Sequence, residues 1–346
     1  VNLLFKKEKC PGGSSCRIYY LGMLLAAFVL PLGGCDKSST QPASPPHKIV
    51  FAYTTQPQST LVRIAIKKGY FSEEGLEIQP QLTTFGKAAL EMVTDGRADF
   101  ATVAETPVMF NIFKGEKIYV IANIVATNTN NAIVARRDAG ISTAKDLKGR
   151  RIGFSPGTTS EFFMDSFLTA NSIARSRIHA VPMKPEEMEN AILSRKVDAV
   201  CTWNFGLSTI ENKLGQNGIS FYDKELYTET FNIAAKQEFT KNNPETVKQL
   251  LRALLKAESF VANHPDEAQA IVADDIKIAP ELVRKVWPAF SYHLELNQML
   301  LLTLEDEARW AMKNKLTEQA AMPNFLSYIY FDGLQAVKPE AVKIIH

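Results

Sequence analysis

Cysteine and histidine are scarce in this chain. Cys10, Cys16, Cys35 and Cys201 are its four cysteines, and His47, His179, His264, His293 and His346 are scattered without a pattern. No H-E-x-x-H, G-x-S-x-G or Walker pattern is present, so common hydrolase and nucleotide-binding signatures are missing. A net charge of +2 gives no reason to expect nucleic acid. The apolar run Ile18–Leu32 is too short to span a bilayer comfortably. What remains is ordinary globular material, 46% hydrophobic and 22% charged, and 346 residues are enough for two lobes with a sizeable core.

The amino-terminal segment reads as a secretory signal. Lys6, Lys7, Lys9 and Arg17 precede the apolar run, small residues follow, and a Ser/Pro/Gln-rich tract comes next. Leu32-Gly33-Gly34-Cys35 resembles the lipobox of bacterial lipoproteins, which implies cleavage before Cys35 and diacylation of its sulfur. A plain signal or a short anchor helix is the alternative. Processing would leave Cys35 and Cys201; Cys201, in the apolar stretch Val197–Trp203, reads as an inert core residue. Loss of four basic residues and Glu8 brings the body close to neutral, so bulk charge names no partner. Residues 1–34 are thus expected to be signal and 35–46 a flexible tether.

The stretch Lys148–Asp165 organises the rest. Arg151–Phe154 reads as a strand and Ser155–Thr158 as a turn. Thr158 with Glu161 forms a capping-box pattern before the helical residues Phe162, Phe163, Phe167 and Leu168. A hydroxyl-rich helix start presents free N–H groups suited to an anionic or strongly polar ligand group. An ordinary strand-to-helix turn is the plainer reading.

The flanking pattern gives that turn a context. Strands at Ile49–Ala52, Glu77–Gln81 and Ala98–Val103 alternate with helices at Ser59–Lys68 and Lys87–Thr94. The order recurs with strands at Arg151–Phe154, Ile178–Val181 and Val197–Trp203 and helices at Ser160–Asn171 and Glu186–Leu193. Laying Asp99 on Asp198 places Glu105 on Asn204 and Ala104 on Trp203. The spacing predicts an α/β fold of two βαβαβ lobes, residues 47–126 with 228–346 and residues 127–227, with a cleft at the strand C-terminal ends. From Pro244 onward helices are expected, among them Pro280–Phe290 and Asn324–Val337, whose amphipathic faces suit packing.

Four segments together carry a family resemblance. They are Gly69-Tyr70-Phe71-Ser72-Glu73-Glu74-Gly75-Leu76, Asp95-Gly96-Arg97-Ala98-Asp99, Asp146-Leu147-Lys148-Gly149-Arg150-Arg151-Ile152-Gly153 and Val197-Asp198-Ala199. They resemble the nitrate/sulfonate/taurine class of substrate-binding proteins of bacterial ABC importers, a class with relatives that bind thiamine-pyrimidine precursors. The resemblance implies a bilobal type II periplasmic-binding fold that closes on a small polar solute by hinge motion. It further implies a monomer, extracytoplasmic and lipid-anchored, that docks on permease and ATPase subunits, with no cofactor, no metal and no nucleic acid.

By position, the ligand loops would supply Thr54, Thr55 and Gln56, then Glu105 and Thr106, then Thr158, Thr159 and Ser160, then Trp203 and Asn204. Trp203 could stack on a ligand or pack at the rim, and the three hydroxyls could bind an anion or serve as caps. Glu105 suggests a cationic or N–H donor group on the ligand, unless it pairs with a lysine such as Lys114 or faces solvent. No arginine stands at these loops, which disfavours nitrate and favours an aminosulfonate-like or aminopyrimidine-like solute. A ligand-sensing module for a signalling partner is the alternative function. A thiamine-pyrimidine biosynthetic enzyme is less well supported, because the cysteine-rich motif of such relatives is missing.

Overall fold

Short runs of Val, Ile, Ala and Phe between turn residues become strands because their apolar side chains can be covered on both faces of a sheet. The computed structural model describes residues 47–345, so the signal, Cys35 and the tether lie outside the described residues. The strands are β1 (His47–Thr54), β2 (Leu76–Thr83), β3 (Phe100–Ala104), β4 (Ile118–Thr127), β5 (Asn131–Arg136), β6 (Arg151–Phe154), β7 (His179–Pro182), β8 (Ala199–Trp203), β9 (Gly218–Phe221) and β10 (Glu229–Lys236). They form two mixed sheets, ordered β2-β1-β3-β10-β4 and β7-β6-β8-β5-β9.

The duplication read from the sequence is a duplication in space. In each sheet three parallel strands, β2-β1-β3 or β7-β6-β8, are followed by one antiparallel strand that arrives from the other half of the chain. The matched aspartates do the same work. Asp99 Oδ2 accepts a hydrogen bond from Val50 N at 2.8 Å, and Asp198 Oδ2 accepts one from Arg151 N at 2.9 Å. Each carboxylate satisfies an N–H near the start of the middle strand of the three parallel ones, β1 or β6. The preceding turn reverses through a left-handed residue, Gly96 (φ 75°) or Arg195 (φ 64°). Glycine takes that conformation without strain and arginine does not.

Helices fill the connections. In the first half these are α1 (Thr60–Lys67), α2 (Tyr70–Glu73), α3 (Gly86–Thr94) and α4 (Glu105–Phe113); in the second, α5 (Thr159–Ala170), α6 (Pro185–Leu193) and α7 (Asn204–Leu214). Helices α4 and α7 begin at the matched residues Glu105 and Asn204. After β10 come α8 (Gln237–Asn242), α9 (Pro244–Asn263), α10 (Pro265–Ile276), α11 (Pro280–Val286), α12 (Gln298–Lys313) and α13 (Phe331–Val337). Among the described residues, no helix is long and apolar enough to cross a membrane.

Two of the expected carboxy-terminal helices are shorter than read. Pro280–Phe290 stops at Val286 and continues as a 3-10 turn, Trp287–Ala289, because Pro288 has no N–H to extend the ladder. Asn324–Val337 is broken as well. Phe325–Tyr328 is a 3-10 turn, Ile329 pairs with Val120 of β4, and Tyr330 N donates to Val120 O at 2.9 Å. Together with the bridge Asn123–Glu295, this stitches the carboxy-terminal region onto the first sheet. The first sheet's core holds Phe51, Phe71 and Phe100, all essentially inaccessible, with Phe51 packed on Phe71 at 6.3 Å and on Phe100 at 5.8 Å between ring centres. Each such ring contributes roughly 1.5–3 kcal/mol by burial.

Candidate functional site

Strand C-terminal ends of the two halves meet at a cavity. It is lined by Gln56, Gln58, Phe85, Gly86, Lys87, Ala104 and Pro107 from the first half, Thr158, Thr159 and Trp203 from the second, and Glu229 and Phe231 from β10. Its free volume is about 20 Å³. That is room for a single water molecule, so the two halves are drawn together around it.

The second half contributes a helix start. Thr158 precedes α5 in extended conformation, and its Oγ1 accepts from Ser160 N at 3.3 Å while donating to Ser155 O at 2.8 Å. The expected capping box is not formed. Glu161 reaches past Thr158, accepting from Gly157 N at 2.8 Å and pairing with Arg175 at 2.9 Å. Gly157, with φ 67°, lets the loop turn toward Lys87, whose Nζ donates to Pro156 O at 3.0 Å from across the cavity. Thr159 Oγ1 donates to Asn131 Oδ1 at 3.1 Å.

The first half and β10 contribute an acid. Glu229 is buried, with Oε1 accepting from Gln58 Nε2 at 3.1 Å and Oε2 from Asn130 Nδ2 at 2.9 Å and Asn131 Nδ2 at 2.6 Å. Burial raises its pKa, and the three amide donors offset part of that rise. Gly86 brings the start of α3 close to the first sheet: a Cβ there would lie 2.9 Å from Val103 Cα, so no larger residue fits without a shift.

Of the ten residues expected at the site, Gln56, Thr158, Thr159 and Trp203 line the cavity. The other six do not. Thr54 is fully buried, its Oγ1 bonded to Ser59 and its carbonyl to Arg63. Thr55 bonds through its N–H to Thr83 O. Thr106 Oγ1 donates to Glu307, and Ser160 Oγ donates to Cys201 O at 2.7 Å. Asn204 stands behind the wall, its Nδ2 3.4 Å from Gln58 Oε1. The larger correction is Glu105. It is fully buried beneath the cavity wall, bonded to Tyr227 and accepting from Thr230 N at 2.7 Å and Thr230 Oγ1 at 2.8 Å. It neither pairs with Lys114 nor faces solvent. As the first residue of α4 its side chain turns back toward β10 rather than outward.

Two charged wall residues, Lys87 and Glu229, are not among the expected ligand residues, whereas Gln58 closes the loop Thr54–Gln58 expected to face the cleft. Lys87 is expected only as the first residue of a helix. The rule that found the other loops, strand end followed by helix start, applies equally to Thr83-Thr84-Phe85-Gly86-Lys87 and would have found Lys87. Glu229 carries no comparable signal, because its place depends on β10 crossing back between β3 and β4.

The wall so assembled offers hydroxyls, an ammonium, a carboxylate and the rings of Phe85, Trp203 and Phe231. Cys201 is inaccessible and burial pushes its thiol pKa upward, which removes it as a nucleophile. Among the described residues, no group of three or more His, Cys, Asp or Glu is placed to hold a metal ion.

Solved structures share this architecture. The alkanesulfonate-binding protein SsuA from Xanthomonas axonopodis pv. citri, bound to MOPS, superposes with a TM-score of 0.71 at 16% identity, over 83% of this chain and 99% of that one. The periplasmic aliphatic sulphonate binding protein SsuA from Escherichia coli gives 0.69 at 16% identity, over 79% and 94%. The fold is therefore that of the periplasmic binding proteins. In sequence, the chain is 25% identical over 280 residues to a Bacillus subtilis protein provisionally named for binding aliphatic sulfonates, covering 77% of this chain and 82% of the relative. It is 21% identical to the formylaminopyrimidine-binding protein of Halalkalibacterium halodurans, covering 72% and 76%. Residues 56–268 match the family described as NMT1/THI5 like, and the chain belongs to that family.

Proposed function

We infer that this protein is the solute-binding component of an ABC importer, working outside the cytoplasm and capturing one small polar molecule between its two halves. Binding rather than chemistry is the reading, and the cavity itself carries it. Opposed polar groups converge where α/β proteins hold ligands, with no activated nucleophile among them. The names of relatives, sulfonate-binding on one side and formylaminopyrimidine-binding on the other, bracket the solute class.

The geometry narrows it. The Lys87 ammonium, which spends one of its three N–H donors on Pro156 O, suits an acceptor-rich end, and Glu229 suits an amine or N–H end; the Thr158 and Thr159 hydroxyls already donate to Ser155 O and Asn131 Oδ1. An aminosulfonate or an aminopyrimidine bearing an acceptor group satisfies both. Bare nitrate leaves Glu229 without a donor. Native mass spectrometry of freshly purified protein, followed by denaturation, identifies what it carries. Calorimetric titration of that compound into Glu229→Gln then tests the acid. A charge-assisted hydrogen bond contributes about 1.5–3 kcal/mol, so affinity falls roughly ten- to a hundredfold. Equal affinities remove Glu229 from recognition, and no co-purifying or titrating solute removes the binding reading. Anchoring through Cys35 belongs to the same proposal: Cys35→Ser abolishes acyl labelling and membrane retention, and retention of a protein cleaved elsewhere contradicts it.

A further inference from the structure

We propose that a buried contact between Trp310 and Asp165 is a latch that holds the two halves closed and ties that closure to the cavity loop. The idea goes beyond solute identity and rests only on the two-lobed binding reading.

The two partners belong to different halves. Trp310 lies near the end of α12, a helix packed on α4 and on the Phe325–Tyr328 turn, and so carried by the first sheet. Asp165 lies on α5, packed on β5, β6 and β8 of the second sheet. Trp310 Nε1 donates to Asp165 Oδ2 at 3.0 Å, with both residues buried. From there the contacts run inward without interruption. Arg175 bonds Asp165 at 2.6 Å and Glu161 at 2.9 Å, and Glu161 accepts from Gly157 N at 2.8 Å. Gly157 directly precedes Thr158 and Thr159 of the cavity wall.

One guanidinium faces two carboxylates, and Arg175 and Trp310 both donate to Asp165 Oδ2, while Asp165 Oδ1 has no hydrogen-bond partner among the described residues. The indole N–H reaches this buried carboxylate from the other half, and separation of the halves removes it. Rings seal the same place: Trp310 packs edge-on to Phe162 of α5 at 5.2 Å and to Phe110 of α4 at 5.9 Å between ring centres. Outside this seal lies a groove of about 770 Å³ lined by Phe162, Asp165, Arg175, Leu226, Trp310 and Lys313. Inside it, the cavity has room for one water molecule. A solute of several heavy atoms is therefore admitted only when the halves part, and the Trp310–Asp165 contact must break when they do.

The test needs no ligand. Wild-type protein and the variants Trp310→Phe and Asp165→Asn are unfolded in urea to strip co-purified solute, refolded, and compared by small-angle X-ray scattering. Trp310→Phe keeps a ring and loses the donor; Asp165→Asn keeps the shape and every ring and removes the charge that the indole N–H and Arg175 meet. Loss of one hydrogen bond to a charged acceptor shifts the closed-to-open ratio about tenfold. Both variants are expected to show a larger radius of gyration than wild type. Arg309→Ala, a neighbouring exposed residue paired with Glu305 and Asp306, is expected to leave it unchanged. Should Trp310→Phe lose cooperative unfolding, Asp165→Asn carries the test alone. A radius identical to wild type in a folded variant overturns the latch, whatever solute the cavity is later found to hold.

Discussion

Glu105, Glu229 and Glu307 are fully buried and come from three elements, α4, β10 and α12, with no lysine or arginine among their hydrogen-bond partners. Burial first, then the charge of Glu229, pushes the Glu105 pKa well above the usual carboxylate range. Burial first, then the charge of Glu105, does the same for Glu307. The folded state therefore binds protons that the unfolded chain releases near pH 4. The stability these groups contribute is complete below that pH and is lost as pH rises through their folded-state values. Each unit by which a folded-state pKa is raised costs about 1.4 kcal/mol once the pH has passed it. Glu105→Gln and Glu307→Gln, which mimic the protonated acid, are expected to flatten the fall of melting temperature between acid and alkaline pH. Calorimetric scans across that range check this, and parallel wild-type and variant curves would refute it. The pattern also explains why Glu105 misled the sequence reading. A carboxylate in an uncharged loop usually reports an exposed or ligand-facing group, and nothing in the local sequence announces Tyr227 and Thr230 as its partners.

Among elements, the repeated β-α-β unit was legible because its signals are local. Strand, turn and helix start follow one another within a dozen residues, and the Asp99/Asp198 match marks equivalent turns in both halves. The structure supplies the reason for that match, since each aspartate accepts from an N–H of the middle parallel strand, β1 or β6. Asp99→Ala leaves Val50 N without that acceptor and is expected to cost about 1–2 kcal/mol, read as a lower urea midpoint at unchanged slope. An unchanged midpoint would mean that water replaces the carboxylate at no cost. Gly86 gives a second case. Ala at that position meets Val103 Cα and Phe231 at the cavity wall, so Gly86→Ala is expected to destabilise by about 1–3 kcal/mol and to weaken solute binding together. What stayed illegible was long-range. The carboxy-terminal segment 324–337 has helical composition, yet Ile329 pairs with Val120, more than two hundred residues earlier in the chain. Pairing at that separation leaves no periodic trace.

At the scale of the whole molecule, the chain crosses from the first sheet to the second between Thr127 and Asn131 and returns between Phe221 and Glu229. Those two crossings bear directly on the cavity. Asn130 and Asn131 stand in one, Glu229 ends the other, and their side chains bond across at 2.9 and 2.6 Å. With the acid at the crossing, a ligand that engages Glu229 in the way proposed acts where the halves are joined. Away from the pivot, further contacts span the halves at Thr84–Glu186 and Lys87–Pro156. Residues 127–227 are accordingly proposed to swing as one body against the rest. The water-sized cavity makes this swing obligatory for any larger solute. Trp310→Phe protein, opened by loss of the latch and stripped by unfolding and refolding, then titrated with the compound that mass spectrometry identifies, is expected to shrink in radius of gyration as it saturates. The same protein with Glu229→Gln added is expected to reach the same closed radius at a roughly ten- to hundredfold higher solute concentration, since it loses affinity without losing the pivot. A profile that does not change at saturation would mean that the solute reaches its site with the halves fixed, by a route other than the swing proposed here.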